Sequence, residues 1–377
     1  MNSNGQITDE NFSFTSSIAA DVLHPKPNSE AYEWWYFDAL SEDGRDAVVI
    51  IFLDNFIFSP RYNKAAQGLK SKLKSPKTKV GEIQNPKSKI QNYPALAFTY
   101  YRDGKPKYRA INEFAVEEFE SDGEKPSCKI GDNFFRLESA AYGSGYVVSI
   151  SVKLRKNCHL TANFEWLSIE SDFLPDKKIS VENSHSWNLA VARADVTGRI
   201  SVADEKGKTS DIVHFRGTGY HDHNFDNRWL PVTVSDWQWG RAHFADATAV
   251  FYRYKEITQD KPTTKIFIVQ DDILRESDAE YEERNFTRDI FGIKYPKQLN
   301  LTFEDDAHLA IKQTKIIDSS FFYLRFLSEM TLTLSDGESR ESLGITEYLA
   351  PKALKYRWLD WLVNMRIGRN NKGAFLP

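Results

Sequence analysis

Tyr32-Glu33-Trp34-Trp35-Tyr36-Phe37-Asp38-Ala39 runs into Glu42-Asp43-Gly44-Arg45 and then into the apolar residues 47–53. Aromatic and branched side chains suit a pleated surface, and the acidic, Gly-bearing tetrapeptide reads as a turn. The stretch therefore predicts a β-hairpin whose second strand is buried on both faces. The same layout returns at Asp236-Trp237-Gln238-Trp239, followed by residues 247–252: acid, Trp, one residue, aromatic, short turn, apolar strand. This echo predicts two related β units in tandem.

Between the two hairpins, short alternating segments follow one another with turn signals. Residues 95–101 precede Asp103-Gly104, 112–119 precede Asp122-Gly123, 133–139 precede Gly143-Ser144-Gly145, and 146–154 and 159–168 come next. Regular short strands without long amphipathic helices indicate an all-β antiparallel barrel or sandwich. Residues 184–194 and 212–224 are read as its closing strands, separated by a Gly-bearing loop at 198–207. Strands at 265–270, 298–303, 307–312, 330–334 and 344–349 belong to the second unit. Only residues 352–367 carry a helical period, with Leu354, Trp358, Trp361, Leu362 and Met365 on one face, and they predict a closing C-terminal helix.

The expected organisation is a flexible N-terminal arm over 1–24, a first domain over 25–230 and a second over 231–377. Pro25-Lys26-Pro27 marks the end of the arm. Residues 62–93 are rich in Lys, Ser, Gln and Pro, repeat Pro-Lys-x-Lys at 76–79 and 86–89, and read as a basic flexible insertion. A basic lid or a peripheral contact with an anionic membrane is its alternative role.

Over 377 residues, 41% are hydrophobic, enough for sizeable cores, and nine Trp and 25 Phe call for large apolar surfaces or a cavity to line. A net charge of −4 gives no reason to expect nucleic acid. Cys128 and Cys158 suit a reduced compartment, with one bridge between them left open. A polar N-terminus without a basic start and apolar core argues against a secretory signal, and no run of apolar residues is long enough to span a bilayer. A cytoplasmic protein is expected.

Two stretches concentrate chemistry: Asn183-Ser184-His185-Ser186-Trp187-Asn188 and Gly217-Thr218-Gly219-Tyr220-His221-Asp222-His223-Asn224. Gly-x-Gly lets another group approach the backbone closely. Strand alternation puts Tyr220, Asp222 and Asn224 on one face and His221 and His223 on the other, while His185 and Trp187 share a face. If the two strands are neighbours, His185, Trp187, Tyr220 and Asp222 meet in one cavity. A buried Asp stays protonated towards neutral pH and can give its proton to an alkene. Aromatic faces then stabilise the cation by about 2 kcal/mol per desolvated contact. His221 and His223 read as support, bonded to carbonyls or to Asp226. Their spacing suits zinc, but no third ligand is close in sequence, so no metal is expected. Asp222 has the alternative of capping a turn or pairing with Arg216, Arg228 or a His. Glu33 and Asp236 read as structural acids bonded to Arg. Trp34, Trp35, Tyr36, Asn224, Trp237 and Trp239 are the candidate substrate contacts, although alternation sends at least one of the first three into ordinary core.

These motifs, Glu33-Trp34-Trp35-Tyr36-Phe37, His185-x-Trp187 and Gly217 through Asn224, resemble the carotenoid 1,2-hydratase (hydroxyneurosporene synthase) family. The resemblance extends in layout from about residue 30 to 365. It implies two tandem lipocalin-like β-barrel domains with a cavity at or near their junction. It also implies hydration of a terminal isoprenoid double bond by protonation and water capture, without an organic cofactor. Carried onto this chain, Asp222 is the proton donor, and His185, Trp187 and Tyr220 bind, orient or stabilise the cation. Phe225-Asp226 departs from the Trp-Gly of the family pattern, and 62–93 interrupts the first barrel; both leave the hydrophobic substrate open. The wider group includes cyclases and Diels–Alder-type enzymes of natural-product pathways. A cyclase and a non-catalytic carrier of a hydrophobic ligand are the alternatives.

Overall fold

The computed structural model describes residues 12–28, 30–73, 92–140, 143–177, 185–304, 307–370 and 372–376. The first sheet contains β1 (Phe12–Thr15), β2 (Tyr32–Ser41), β3 (Asp46–Leu53), β4 (Ala95–Arg102), β5 (Lys105–Glu113), β6 (Phe119–Ser121) and β7 (Ser127–Ile130). It continues through β8 (Asn133–Ala140), β9 (Gly143–Lys153), β10 (His159–Ser171), β11 (His185–Ala203) and β12 (Thr209–Asp226), with helix α1 (Pro60–Leu73) between β3 and β4. After a single turn, α2 (Leu230–Thr233), the second sheet holds β13 (Val234–His243), β14 (Thr248–Glu256), β15 (Thr263–Gln270), β16 (Ile273–Asp278) and β17 (Glu280–Arg288). Then come β18 (Lys294–Thr302), β19 (His308–Ser320), β20 (Tyr323–Thr333), β21 (Ser339–Leu349) and the short helix α3 (Asp360–Asn364).

Both sheets are antiparallel meanders in which the first long strand returns to pair with the last. The first runs β5-β4-β3-β2-β12-β11-β10-β9-β8-β7-β6, and the second β16-β15-β14-β13-β21-β20-β19-β18-β17. The order corresponds strand for strand around the β2/β12 and β13/β21 pairings. Each sheet is a curled half-barrel with its own apolar core, Trp35 and Phe37 lying in the first and Phe244 and Phe251 in the second. A third core fills the junction and draws on both sheets, from Trp34, Tyr36 and Trp187 to Trp239, Tyr252 and Phe267. There the two echo motifs meet: Trp34 stacks on Trp237 at 5.5 Å and Tyr36 meets Trp239 edge-on at 5.4 Å.

Four expectations are corrected. The arm is not loose over its described part, because β1 pairs in parallel with β11, Phe12 opposite His185 and Thr15 opposite Asn188. Its polar residues bond back to β11: Ser16 Oγ donates to the Leu189 carbonyl, and the Ser17 amide donates to Asn188 Oδ1. Second, the start of the basic insertion is helix α1, held by buried Tyr62, which donates to the Glu30 carbonyl, and by Asn63, which accepts from Trp229 Nε1. The rest of the insertion, including its repeat, lies outside the described residues. Third, Gly198 is not loop. β11 runs through it, because the Phe164 ring of β10 lies where a side chain would stand. Last, the expected C-terminal helix is present but short: the tail forms 3-10 turns before the five-residue α3, and Trp358 and Trp361 are exposed. Cys128 and Cys158 are both free thiols.

Candidate active site

β11 and β12 pair with Trp187 opposite Asn224, which aligns one face of each strand toward the junction core. Asp222 sits on that face and is enclosed. The Tyr220 hydroxyl donates to Asp222 Oδ2 at 2.7 Å, the Trp187 indole N–H to the same oxygen at 3.1 Å, and Asn224 Nδ2 to Oδ1 at 2.8 Å. A second tier orients Asn224: the Tyr252 hydroxyl donates to its Oδ1 at 3.3 Å, and His185 Nε2 lies 2.5 Å from that hydroxyl. His185 is itself clamped by rings, stacking on Tyr254 at 5.0 Å. Burial raises the Asp222 carboxyl to about 7, outweighing the donated hydrogen bonds from Tyr220 and Trp187 that favour the anion. Burial also drives His185 down to about 3, with Arg228 acting in the same direction, so its imidazole is neutral.

The opposite face of β12 carries a buried charge network. His221 is hydrogen-bonded through Nδ1 to the Tyr36 carbonyl at 2.9 Å and through Nε2 to Asp21 Oδ2 at 2.9 Å, and it stacks on Phe37. His223 bridges Asp21 and Glu33, at 3.2 and 2.8 Å. Glu33 also holds His24 and Lys26, and Lys26 reaches Asp54. Desolvation opposes the His223 charge, but its bonds to Asp21 and Glu33 outweigh this and carry it to about 9. His24, Glu33 and His223 bring one ligand atom each within 4.8 Å of one another; His221 is not part of this set, its two ring nitrogens being bonded to the Tyr36 carbonyl and Asp21. The charge balance there already uses Lys26 and protonated His223.

A cavity of about 210 Å³ opens between the sheets. Trp34, Tyr36, Trp237 and Trp239 form part of its wall, with Val49, Leu53 and Phe56 beside them. Its charged wall groups are Arg109, Asp318, Arg325, Glu347 and Arg366, and the Tyr36 hydroxyl lies 3.0 Å from Glu347 Oε1. Asp222 is not a wall residue. Tyr220, bonded to it, packs on Trp239 at 5.1 Å and on Tyr36 at 6.3 Å, and both of those rings are in the wall.

His185, Trp187, Tyr220 and Asp222 are thus brought together, with Asn224 as a hydrogen-bonding neighbour rather than a wall group. Trp35 is corrected. Alternation turns it into the first sheet's own core, where it stacks on His223 at 4.5 Å. Glu33 bonds to Lys26, His24 and His223 instead of to Arg, whereas Asp236 does pair with Arg253. Asp226 binds Arg228, leaving His221 and His223 to Asp21 and Glu33, and Arg216 pairs with Glu42, away from Asp222. Sequence reasoning missed Tyr252, Tyr254, Asp21 and the Arg325–Glu347 pair. The available signals were the Tyr252-x-Tyr254 alternation following the second echo, and charges inside otherwise apolar strands.

The fold recurs in solved structures. CghA with Sch210972 superposes with a TM-score of 0.54 at 12% identity, covering 89% of this chain and 96% of that one. A putative AttH from Nitrosomonas europaea gives 0.52 at 14% identity, covering 85% and 92%. Kievitone hydratase from Nectria haematococca gives 0.51 at 10% identity, covering 90% and 96%. In sequence, the hydroxyneurosporene dehydrogenase of Chlorobaculum tepidum is 26% identical over 365 residues, 95% of this chain and 92% of that protein. Residues 169–375, which contain β11, β12 and the whole second sheet, match the family model of the carotenoid hydratase CrtC, and the chain belongs to that family.

Proposed function

We propose that the protein hydrates a terminal alkene of an apolar isoprenoid or polyene, with Asp222 as the acid. The observation that carries this reading is a buried carboxyl, pushed up to about 7 by desolvation and held by Trp187, Tyr220 and Asn224 beside an aromatic cavity. The alkene π pair takes the Asp222 proton at its less substituted carbon, leaving a tertiary cation that the indole and phenol faces stabilise. Water oxygen then bonds to the cationic carbon, and its surplus proton returns to the carboxylate, so the net change is addition of one water. Because Tyr220 and Trp239 stand between Asp222 and the cavity, the alkene end must part these rings to be protonated.

The test is turnover in deuterated water with wild type and Asp222→Asn. One deuterium should appear on the carbon next to the new C–OH, and the variant should bind ligand without converting it. An active variant would remove Asp222 from the acid role. A second reading, cyclisation of a polyene, is favoured by the cavity wall, where Arg325 and Glu347 rather than Asp222 are at hand to hold a carbonyl. It predicts an isomer of unchanged mass without solvent deuterium.

A further inference from the structure

Among the described residues, the cavity wall carries three arginines, Arg109, Arg325 and Arg366, and two carboxylates, Asp318 and Glu347. Arg109 pairs with Asp318 at 2.7 Å and Arg325 with Glu347 at 2.7 Å. Arg366 is the third wall arginine. Its Nη1 donates to the Ser319 carbonyl at 3.0 Å, and among the described residues no carboxylate lies within ion-pair distance of it. Burial and the neighbouring Arg109 both act against the Arg366 charge and lower its pKa, while the nearby Asp318 only partly offsets them. A half-buried guanidinium next to another guanidinium, with one carboxylate between two cations, is an electrostatic arrangement that an anion would relieve.

The position of this excess charge is as informative as its sign. Of the wall residues on β2 and β3, Trp34, Tyr36, Val49 and Leu53 are buried and Ile51 is partly exposed, whereas Phe291, Phe321, Leu362 and Arg366 are all partly exposed. The cavity therefore runs from an apolar closed end, beside Tyr220, to a mouth at the C-terminal segment where Arg366 stands. A molecule that fits both ends is long and apolar, with one acidic group. We propose that the cavity takes an amphipathic polyene or terpenoid bearing a carboxylate or enolate head, bound at Arg366 and Arg109 with its apolar end inward.

That the inward end meets Asp222 rests on the hydratase reading; the head-group site does not. The probes are cis-parinaric acid, a fluorescent polyene carboxylate, and its methyl ester, titrated against the full chain and read by energy transfer from the wall tryptophans. The acid should bind roughly tenfold more tightly than the ester, the size of one charge-assisted hydrogen bond. Arg366→Gln, which keeps a donor for the Ser319 carbonyl, should bring the acid down to the ester's affinity and leave the ester unchanged. Equal affinities in the wild type, loss of both ligands in the variant, an acid preference that survives it, or no binding at all would each overturn the assignment. If acid preference holds while solvent deuterium never enters a product, the hydratase reading falls and the head-group site stands. Deuterium incorporation with a neutral isoprenoid and no acid preference gives the reverse.

Discussion

Arg241 of β13 reaches across the junction to Asp38 of β2, and the ion pair is buried on both sides. Nε donates to Asp38 Oδ1 at 2.9 Å and Nη2 binds the same oxygen, while the Tyr36 hydroxyl, whose one proton is shared between Asp38 and Glu347, lies 3.0 Å from Oδ2. This pair ties the two echo strands together directly behind the cavity wall. Desolvation takes back much of the attraction in such a pair, but removing one partner strands the other charge. Arg241→Met is therefore expected to destabilise by about 3–5 kcal/mol, and adding Asp38→Asn should restore part of it. Denaturant unfolding of the cycle checks this, and additive losses would mean that the pair is not coupled.

Gly217 and Gly219 should not tolerate a side chain. A Cβ at Gly217 would stand 2.1 Å from the Leu40 carbonyl oxygen, and one at Gly219 would stand 2.4 Å from Trp166 Nε1. The first obstacle is backbone of the paired strand β2 and cannot rotate away. Gly217→Ala should cost at least about 3 kcal/mol, at or beyond the upper end of ordinary overpacking losses. Gly207→Ala, in open space at positive φ, should cost less, mainly as backbone strain. Thermal melts of the two variants rank them, and a milder loss at Gly217 would contradict the packing argument.

His223 predicts an alkaline weakness of the docked arm. Its folded value of about 9 lies above the ordinary 6.5, so its stabilisation is fully present below pH 6.5 and is lost as the pH rises through 9. At neutral pH the shift corresponds to at most about 3 kcal/mol, at roughly 1.4 kcal/mol per unit. Loss should show first at Asp21, its partner in the arm, as faster proteolysis and amide exchange around residues 12–24 between pH 8 and 10. His223→Gln should show the same loosening already at pH 7.

Local chemistry made most of the fold legible. Aromatic alternation in β2, the echo in β13 and the turn punctuation each depend only on neighbours in sequence, and each was readable. The same holds for the two faces of β12, because strand alternation fixes them whatever the fold. Long-range partners were not readable. Nothing local announces that Asp21 pairs with His221, that β1 lies along β11, or that Tyr252 reaches Asn224. Strands β16 and β17 were missed because their exposed faces are charged, which mimics loop composition. The C-terminal period misled for the opposite reason: Trp358 and Trp361 are spaced for a helix face but remain exposed.

Asp222 should be held at a cost in stability. Its value rises from 3.8 to about 7 on folding, so its contribution is fully present below pH 3.8 and is lost as the pH rises through 7. At pH 8 this amounts to roughly 4 kcal/mol against the folded state, at about 1.4 kcal/mol per unit. Asp222→Asn carries no such penalty. Its amide is accommodated if Asn224 turns over, since the Tyr252 hydroxyl can then donate to the neutral His185 Nε2 instead. The variant should therefore melt higher than wild type at pH 8, with the gain shrinking towards pH 4.5, while losing turnover throughout. Trp187→Phe separates the two effects, because it removes one of the donors that favour the anion. The alkaline limb of the wild-type rate, expected near pH 7, should move to higher pH in that variant. A limb that stays in place, or moves down, would mean that Asp222 does not supply the proton.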